Sequence, residues 1–357
     1  MIRVLIVDDS ALMRTLLRRK LEAEPDITVI AAAADAAEAR TLIKSHDPDV
    51  VTLDIEMPGM DGLAFLDKIM TLRPTPVIIV SGSTHQGAAA TAKALHLGAV
   101  GCYAKATATR SLVDDDGGEL AALVREAASV RLPTRRPAAD GPPAPTHWPA
   151  LPACGAPLSQ PELIVIGAST GGVEALHSLL ESFPADCPPT LIVQHVSACF
   201  APAIVQSLGR SARPQVMLAE SDLPLARGMV VLAPGDDKHL QIAPAGAAAY
   251  RSVLRAGDKV SGHRPSVDRL FVSAAEVAGP RALGILLTGM GEDGARGLLA
   301  MAKAGARTIA QDEASCVVFG MPRAAIALGA AREVLALDAI AQRLFPPHLP
   351  VAQKVLP

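Results

Sequence analysis

A serine flanked by glycines is the most reactive feature of the sequence. Ser169 lies in Gly-Ala-Ser-Thr-Gly-Gly, residues 167–172, between an apolar run that predicts a strand and a segment that predicts a helix. At such a turn a serine hydroxyl can be exposed, and the glycines permit positive φ and close approach of another group. The helix N-terminus behind the turn offers unpaired N–H groups to an oxyanion. The Gly-x-Ser-x-Gly pattern therefore favours a serine hydrolase.

The same six residues also fit a dinucleotide-binding loop. Gly167 and Gly172 match two of the glycines of that loop, which is followed about 20 residues later by an acidic residue that binds the ribose. In this chain the next predicted strand ends instead in Gln194-His195. The hexapeptide alone does not separate the two interpretations, and the histidine favours nucleophilic catalysis.

A nucleophilic serine needs a general base, and three histidines compete for that role. His195 ends the second predicted strand of the C-terminal half, so it can reach the same sheet edge as Ser169. His239 also follows a predicted strand, and His263 lies in a Gly-His-Arg-Pro-Ser segment. The position of His195 favours it, although the sequence does not exclude His239.

The orienting acid is expected after the predicted strand that ends at Leu287. That strand leads into Thr-Gly-Met-Gly-Glu-Asp-Gly, residues 288–294, which offers both Glu292 and Asp293. Asp293 precedes a predicted helix start and can turn inward, and the glycines allow N–H groups near Met290 to face a substrate oxygen. The order serine, histidine, acid differs from the serine, acid, histidine order of α/β-hydrolases.

Composition limits the class of protein. The 357 residues are enough for two domains. A net charge of −3 and only 3% aromatic residues argue against nucleic acid as the main partner. Neither a membrane-inserting run nor a signal peptide is indicated. The cysteines show neither zinc-ligand nor disulfide spacing, so a reducing, cytoplasmic location is expected; they are Cys102, Cys154, Cys187, Cys199 and Cys316.

Two α/β domains joined by a linker are predicted. A proline-rich stretch interrupts the pattern, and the expected division is residues 1–125, a linker at 126–160 and residues 161–350. On both sides short apolar runs alternate with helical segments, which indicates doubly wound parallel sheets. The predicted strands are Val4–Val7, Thr28–Ala32, Val50–Leu53, Val77–Val80, Val100–Ala104, Leu163–Ile166, Thr190–Val193, Met229–Leu232, Ala282–Leu287 and, more weakly, Arg307–Ala310.

Charged and hydroxylic residues end four predicted strands of the N-terminal half. They are Asp8, Asp9, Asp54, Ser81 and Lys105. Carboxyl ends of parallel strands share one edge, so three carboxylates are expected to meet there and to repel one another. A hard divalent cation relieves that repulsion, and Mg²⁺ suits an open oxygen site.

These residues resemble the response-regulator receiver domain, which has a flavodoxin-like fold. The matching segments are Val-Asp-Asp-Ser at 7–10, Leu-Asp-Ile-Glu-Met-Pro-Gly-Met-Asp-Gly at 53–62, Val-Ser at 80–81 and Tyr-Ala-Lys at 103–105. The resemblance implies that Asp54 accepts a phosphoryl group from a histidine kinase. It further implies that Asp9, Asp54 and the Glu56 carbonyl hold Mg²⁺ with support from Asp8.

The resemblance also assigns two residues that respond to phosphorylation. Ser81 would bond a phosphoryl oxygen and Lys105 would neutralise charge. Ala106 follows that lysine where the family usually has proline, which is a departure from the family pattern.

The C-terminal half resembles the catalytic domain of the CheB family of chemotaxis protein-glutamate methylesterases, a Rossmann-like parallel-sheet domain. The matching segments are residues 169–172, 194–195, 288–294 and 311–322, and the family joins this domain to a receiver through a linker. The resemblance implies that Ser169 is the nucleophile, His195 the base and Asp293 the orienting acid. The backbone N–H groups of Thr170 and Met290 would form the oxyanion hole.

The implied substrate is a methyl-esterified glutamate on a chemoreceptor helix, with deamidation of specific glutamines as a related activity. The esterase half would need no cofactor. Residues 196–200 depart from the proline-rich start that the family usually has after the histidine, so substrate contacts there are expected to differ. Two other classes remain open on the residues alone: a regulator that only binds a partner, and a nucleotide-binding domain.

Overall fold

Two parallel sheets, each belonging to one half of the chain, organise the computed structural model. It describes residues 1–57, 61–82, 84–105, 118–130, 161–246 and 249–345. The predicted linker from residue 131 onward and Ala106 lie outside these ranges. Within them, no helix combines the length and the apolar character needed to cross a bilayer.

The N-terminal sheet has five parallel strands in the order β2-β1-β3-β4-β5. Its elements are β1 Ile2–Val7, α1 Ala11–Glu22, β2 Ile27–Ala33, α2 Ala36–His46, β3 Val50–Leu53, α3 Gly62–Leu72, β4 Val77–Ser81, α4 His85–His96, β5 Gly101–Ala104 and α5 Glu119–Ala128. Helix α5 therefore continues three residues beyond the predicted domain end at residue 125.

Alternation along β1 explains why helices cover both faces of this sheet. Val4 and Ile6 pack in one apolar cluster with α1 and α5, whereas Leu5 and Val7 belong to another with α2, α3 and α4. Successive strand residues point to opposite faces, so the run from Val4 to Val7, which is apolar at every position, is buried on both faces.

The C-terminal sheet has seven parallel strands in the order β14-β13-β12-β6-β7-β9-β8. Its elements are β6 Leu163–Ala168, α6 Gly172–Glu181, β7 Thr190–Gln194, α7 Ala201–Ser211, β8 Gln215–Leu218, β9 Met229–Leu232, β10 Lys238–Pro244, β11 Tyr250–Ala256, α8 Val267–Val277, β12 Ala282–Leu286, α9 Ala295–Lys303, β13 Arg307–Gln311, α10 Met321–Ala327, β14 Glu333–Leu335 and α11 Leu337–Leu344. The predicted doubly wound α/β architecture is confirmed in both halves.

Four strands of the C-terminal half were not predicted. The strands β10 and β11 form a separate antiparallel hairpin, so the expectation of parallel sheets does not extend to this segment. The edge strands β8 and β14 are short and only partly buried, and such strands carry a weak apolar signal.

Helix α4 of the N-terminal half packs against α6 and α7 of the C-terminal half. One apolar cluster contains both Ala88 and Ala92 of α4 and Phe200 and Ile204 at α7. The rings of His96 and His177 meet at this boundary, with their centroids 4.2 Å apart. The two halves thus contact each other through helices, and one of these helices is α6, which follows Ser169 in the chain.

Candidate active site

Ser169 lies at the turn between β6 and α6. Its side chain is buried, with 8% of the residue exposed. Gly171 has φ 73°, and a Cβ there would come within 2.5 Å of the Val317 side chain. Glycine thus serves twice at this turn: it adopts the left-handed conformation and lets the segment around Val317 approach closely.

The register of β6 and β7 brings His195 beside Ser169. Ala168 pairs with Gln194, and the His195 N–H donates to the Ala168 carbonyl at 3.0 Å. The Gln194 side-chain amide donates to the Ser169 carbonyl at 2.8 Å and thereby fixes the turn. Ser169 and His195 therefore lie at neighbouring strand ends, as the sequence predicts.

Asp293 reaches the same edge from the loop after β12. Its Oδ2 lies 2.9 Å from Nε2 of His195, and only 1% of the residue is exposed. Glu292, the competing acid, is exposed and pairs with Arg296 at 3.4 Å. The structure thus brings Asp293, and not Glu292, to the histidine.

Backbone and hydroxyl donors hold the Asp293 carboxylate in its charged form. Burial alone would raise the pKa of Asp293, but the His195 ring, the Ser266 hydroxyl and the Val267 N–H together bring it below its ordinary value of 3.8. Ser266 Oγ donates at 2.7 Å and Val267 N at 2.8 Å. The carboxylate is therefore a fixed negative charge beside the imidazole.

The second ring nitrogen of His195 is left bare. Nδ1 is buried and has no hydrogen-bond partner among the described residues, and no hydrogen bond links it to Ser169. With Nε2 donating its proton to Asp293, Nδ1 carries the free lone pair. Catalytic hydrogen bonds to a serine are often long before substrate binds, so this nitrogen suits a general base. The two nitrogens have exchanged the roles they have in the chymotrypsin triad.

The other two candidate histidines have different surroundings. His239 is buried, its Nδ1 accepts from the Ser266 N–H at 3.1 Å, and its Nε2 donates to the Asp258 carbonyl at 2.9 Å. Both of its ring nitrogens are occupied by backbone, which leaves none for a serine. His263 stacks on His195 with ring centroids 3.7 Å apart. The sequence placed His263 among the competing bases and gave no indication of this stacking.

The loop after β12 carries Met290 next to Ser169. The Ser169 N–H donates to the Thr288 carbonyl at 3.0 Å, and the Thr288 hydroxyl donates to the Thr170 carbonyl at 2.9 Å. A Cβ on Gly289 would come within 2.6 Å of the Ser169 Cβ, so only glycine permits this approach. The described hydrogen bonds leave the Thr170 N–H unused.

Residues 311–321 hold that loop from behind. Gln311 accepts from the Thr288 N–H at 2.8 Å and donates to the Ser315 carbonyl at 2.7 Å. The Gly289 N–H donates to the Val318 carbonyl, and its own carbonyl accepts from the Met321 N–H. This segment matched the family at the sequence level, and its structural contribution is to position the Met290 loop.

Carboxylates also gather at the carboxyl edge of the N-terminal sheet. Oxygen atoms of Asp8, Asp9 and Asp54 all lie within 4.8 Å of one another. Lys105 Nζ contacts Asp8 at 2.8 Å and Asp54 at 2.7 Å, and Ser81 is fully buried at the adjacent strand end. Such a group of oxygen ligands fits a hard divalent cation.

The electrostatics of this edge depend on Lys105. Burial raises the pKa of Asp8, and Lys105 offsets only part of that rise. Burial alone would lower the pKa of Lys105, but its bonds to Asp54 and Asp8 hold it above its ordinary value. The Glu56 N–H donates to Asp54 at 3.0 Å, while the Glu56 side chain is exposed. One ammonium thus balances two buried carboxylates.

Comparison with known proteins agrees with both sheets. The CheB methylesterase family matches residues 164–344, and the response regulator receiver domain matches residues 4–115. A Caulobacter vibrioides protein named protein-glutamate methylesterase/protein-glutamine glutaminase 1 is 49% identical over 96% of this chain and 97% of its own. A Bordetella parapertussis protein named protein-glutamate methylesterase/protein-glutamine glutaminase is 48% identical over 96% of each chain.

A solved structure matches the C-terminal half. The crystal structure of the Thermotoga maritima CheB methylesterase catalytic domain is 34% identical, with a TM-score of 0.50, and covers 52% of this chain and 98% of that chain. The family matches, the relatives that span nearly the whole chain and this solved structure all agree. The chain therefore belongs to the CheB methylesterase family and carries a response regulator receiver domain.

Proposed function

We propose that this chain is a phosphorylation-regulated hydrolase that acts on methyl-esterified glutamates of chemoreceptors through Ser169, His195 and Asp293. The observation that carries the proposal is the pairing of His195 Nε2 with the buried Asp293, which leaves a bare Nδ1 beside the serine strand end. The names of its relatives support the substrate and add glutamine deamidation. The catalytic unit is assigned to residues 161–350.

In the proposed reaction, Nδ1 of His195 takes the proton of the Ser169 hydroxyl as its oxygen attacks the ester carbonyl. The imidazolium then gives that proton to the departing methoxide, which leaves as methanol, and an acyl-enzyme remains. Water hydrolyses the acyl-enzyme by the same base, which yields glutamate. A glutamine side chain would follow the same steps and release ammonia.

Asp293 and two N–H groups provide the electrostatic part. The carboxylate stabilises the imidazolium that forms in both steps. The N–H groups of Thr170 and Met290 would receive the negative oxygen of the tetrahedral intermediate, which is usually the largest single contribution to such a reaction. Gly289 and the segment 311–321 keep the Met290 loop within reach.

The receiver, assigned to residues 1–125, would accept a phosphoryl group on Asp54 from a chemotaxis histidine kinase. Asp9, Asp54 and the Glu56 carbonyl would hold Mg²⁺ with Asp8 in support, and the metal would neutralise these carboxylates and the incoming phosphoryl oxygens. Lys105 already contacts Asp54, and Ser81 lies at the neighbouring strand end. We place this two-component protein in the cytoplasm.

Regulation is proposed to act through the contact between the halves. Helix α4 covers part of α6 and α7, so the unphosphorylated receiver restricts access to Ser169. Phosphorylation of Asp54 would shift Ser81 and the start of α4 and loosen that contact.

Methanol release from methylated receptor membranes, with and without acetyl phosphate, tests the proposal. The wild-type chain should release methanol faster with acetyl phosphate, and Ser169→Ala should release none above the uncatalysed rate. Asp54→Asn should keep the basal rate and lose the stimulation. Methanol release by Ser169→Ala at the wild-type rate would contradict the assignment of the nucleophile.

A further inference from the structure

The two imidazoles at the active site are stacked face to face. The rings of His195 and His263 are 3.7 Å apart between centroids and only 4° from parallel. His263 lies in the loop between β11 and α8, where its N–H donates to the Val260 carbonyl at 2.9 Å and its carbonyl accepts from the Val260 N–H at 3.0 Å. The stacking ring is therefore carried by a hydrogen-bonded turn.

The same loop also holds the acid. Three residues after His263, Ser266 donates its hydroxyl to Asp293, and the Val267 N–H bonds the other carboxylate oxygen. The backbone of Ser266 is in turn fixed by His239. The loop between β11 and α8 thus contacts the face of the His195 ring and also holds the carboxylate that pairs with this ring.

The charge state of His263 permits this stack to persist when His195 becomes cationic. Burial lowers the pKa of His263 to about 4, and the neighbouring His195 and Lys259 lower it further while Asp293 opposes them. The ring is thus neutral near pH 7, and a neutral aromatic face attracts a cation.

We propose that His263 is a positioning residue that fixes the plane of the His195 imidazole and stabilises its protonated form through the stack. This inference rests on the proposed role of His195 as general base. The described side-chain contact of His263 in the site is the stack on His195, so its effect is proposed to act through His195.

Three variants of the full chain test the role: His263→Ala, His263→Phe and, as a control, Arg264→Ala, which changes the exposed neighbour. Methanol release with acetyl phosphate gives kcat and KM, and thermal unfolding reports the fold. His263→Ala should lower kcat by about 3- to 30-fold, the range of a cation–π contact, with KM within about twofold. His263→Phe keeps an aromatic face and should recover most of kcat.

A purely structural role makes a different prediction. In that case the Ala and Phe variants would change the unfolding temperature while kcat per folded molecule stayed at the wild-type value, and the proposal would be overturned. An equal loss of kcat in the Ala and Phe variants would also overturn it. If the wild-type chain releases methanol independently of Ser169, the proposed function fails, whatever the His263 variants do.

Discussion

Replacing Asp293 with asparagine separates the charge of this side chain from its geometry. Each carboxylate oxygen accepts two hydrogen bonds: Oδ2 from His195 at 2.9 Å and Val267 at 2.8 Å, and Oδ1 from Ser266 at 2.7 Å and Asp268 at 3.1 Å. The amide NH₂ must replace one oxygen. We expect it at the Oδ1 position, because the Ser266 hydroxyl can rotate to accept and only the longer Asp268 contact is lost.

The asparagine therefore keeps an oxygen opposite His195 Nε2, and the histidine keeps its tautomer. What is lost is the negative charge that stabilises the imidazolium. Two unit charges about 4 Å apart interact by about 4 kcal/mol at an effective dielectric constant of about 20. Since about 1.4 kcal/mol corresponds to a factor of ten, kcat should fall by about 10³-fold. The stranded Asp268 N–H should lower the free energy of unfolding by about 1–3 kcal/mol.

The assay is methanol release from methylated receptor membranes in the presence of acetyl phosphate, with urea unfolding of the same preparations. Ser266→Ala is the matched control, because it removes one hydrogen bond to Asp293 and leaves its charge. That control should lose far less activity than Asp293→Asn. An Asp293→Asn variant within tenfold of the wild-type kcat would refute the assignment of the charge to catalysis.

Four further results are expected. Gly289→Ala should destabilise the catalytic domain and reduce kcat, since its Cβ would lie 2.4 Å from Met321 Sδ; thermal unfolding and methanol release measure both. Asp54→Asn should abolish phosphoryl incorporation from labelled acetyl phosphate. Deleting residues 1–130 should raise basal esterase activity, and an unchanged or lower rate would contradict covering by the receiver. The pKa of Asp293 in the folded chain lies below 3.8, so its carboxylate stabilises the fold above that pH. This contribution is lost as the pH falls through the lowered pKa. The free energy of unfolding of Asp293→Asn, measured by urea titration, should therefore fall less than that of wild type between about pH 5 and pH 2.

The site residues that lie at the ends of strands could be predicted from the sequence. Apolar runs such as residues 163–166 are buried on both faces, so their period and length identify them, and the residue types that follow them indicate chemistry. Because parallel strands share a carboxyl edge, Ser169 and His195 could be expected together before any coordinates. The receiver carboxylates followed from the same rule.

Contacts made by loops and by partly polar strands could not be predicted from the sequence. The β10–β11 hairpin mixes buried, half-buried and exposed residues without a regular pattern, and its sequence was not recognised as a pair of strands. The stack of His263 on His195 depends on the path of a loop between β11 and α8, which no local pattern fixes. The sequence offered both Glu292 and Asp293 and favoured Asp293 by its position before a helix; in the structure Asp293 contacts His195, whereas Glu292 pairs with Arg296.

The contact between the two halves must be weak enough to break if it is to act as a reversible switch. Moving a two-state equilibrium from 1:99 to 99:1 takes about 5.5 kcal/mol, which corresponds to a docked state favoured by only about 2.7 kcal/mol before the switch. The α4 residues in the shared cluster include Ala88 and Ala92, and alanine buries little apolar area per residue. Thr84, which caps α4, also contacts Glu56, two residues from Asp54, at 3.4 Å. Helix α4 therefore packs on the catalytic half largely through small side chains and is hydrogen-bonded to Glu56. Under the proposed regulation, a modest change at Asp54 would be enough to release it.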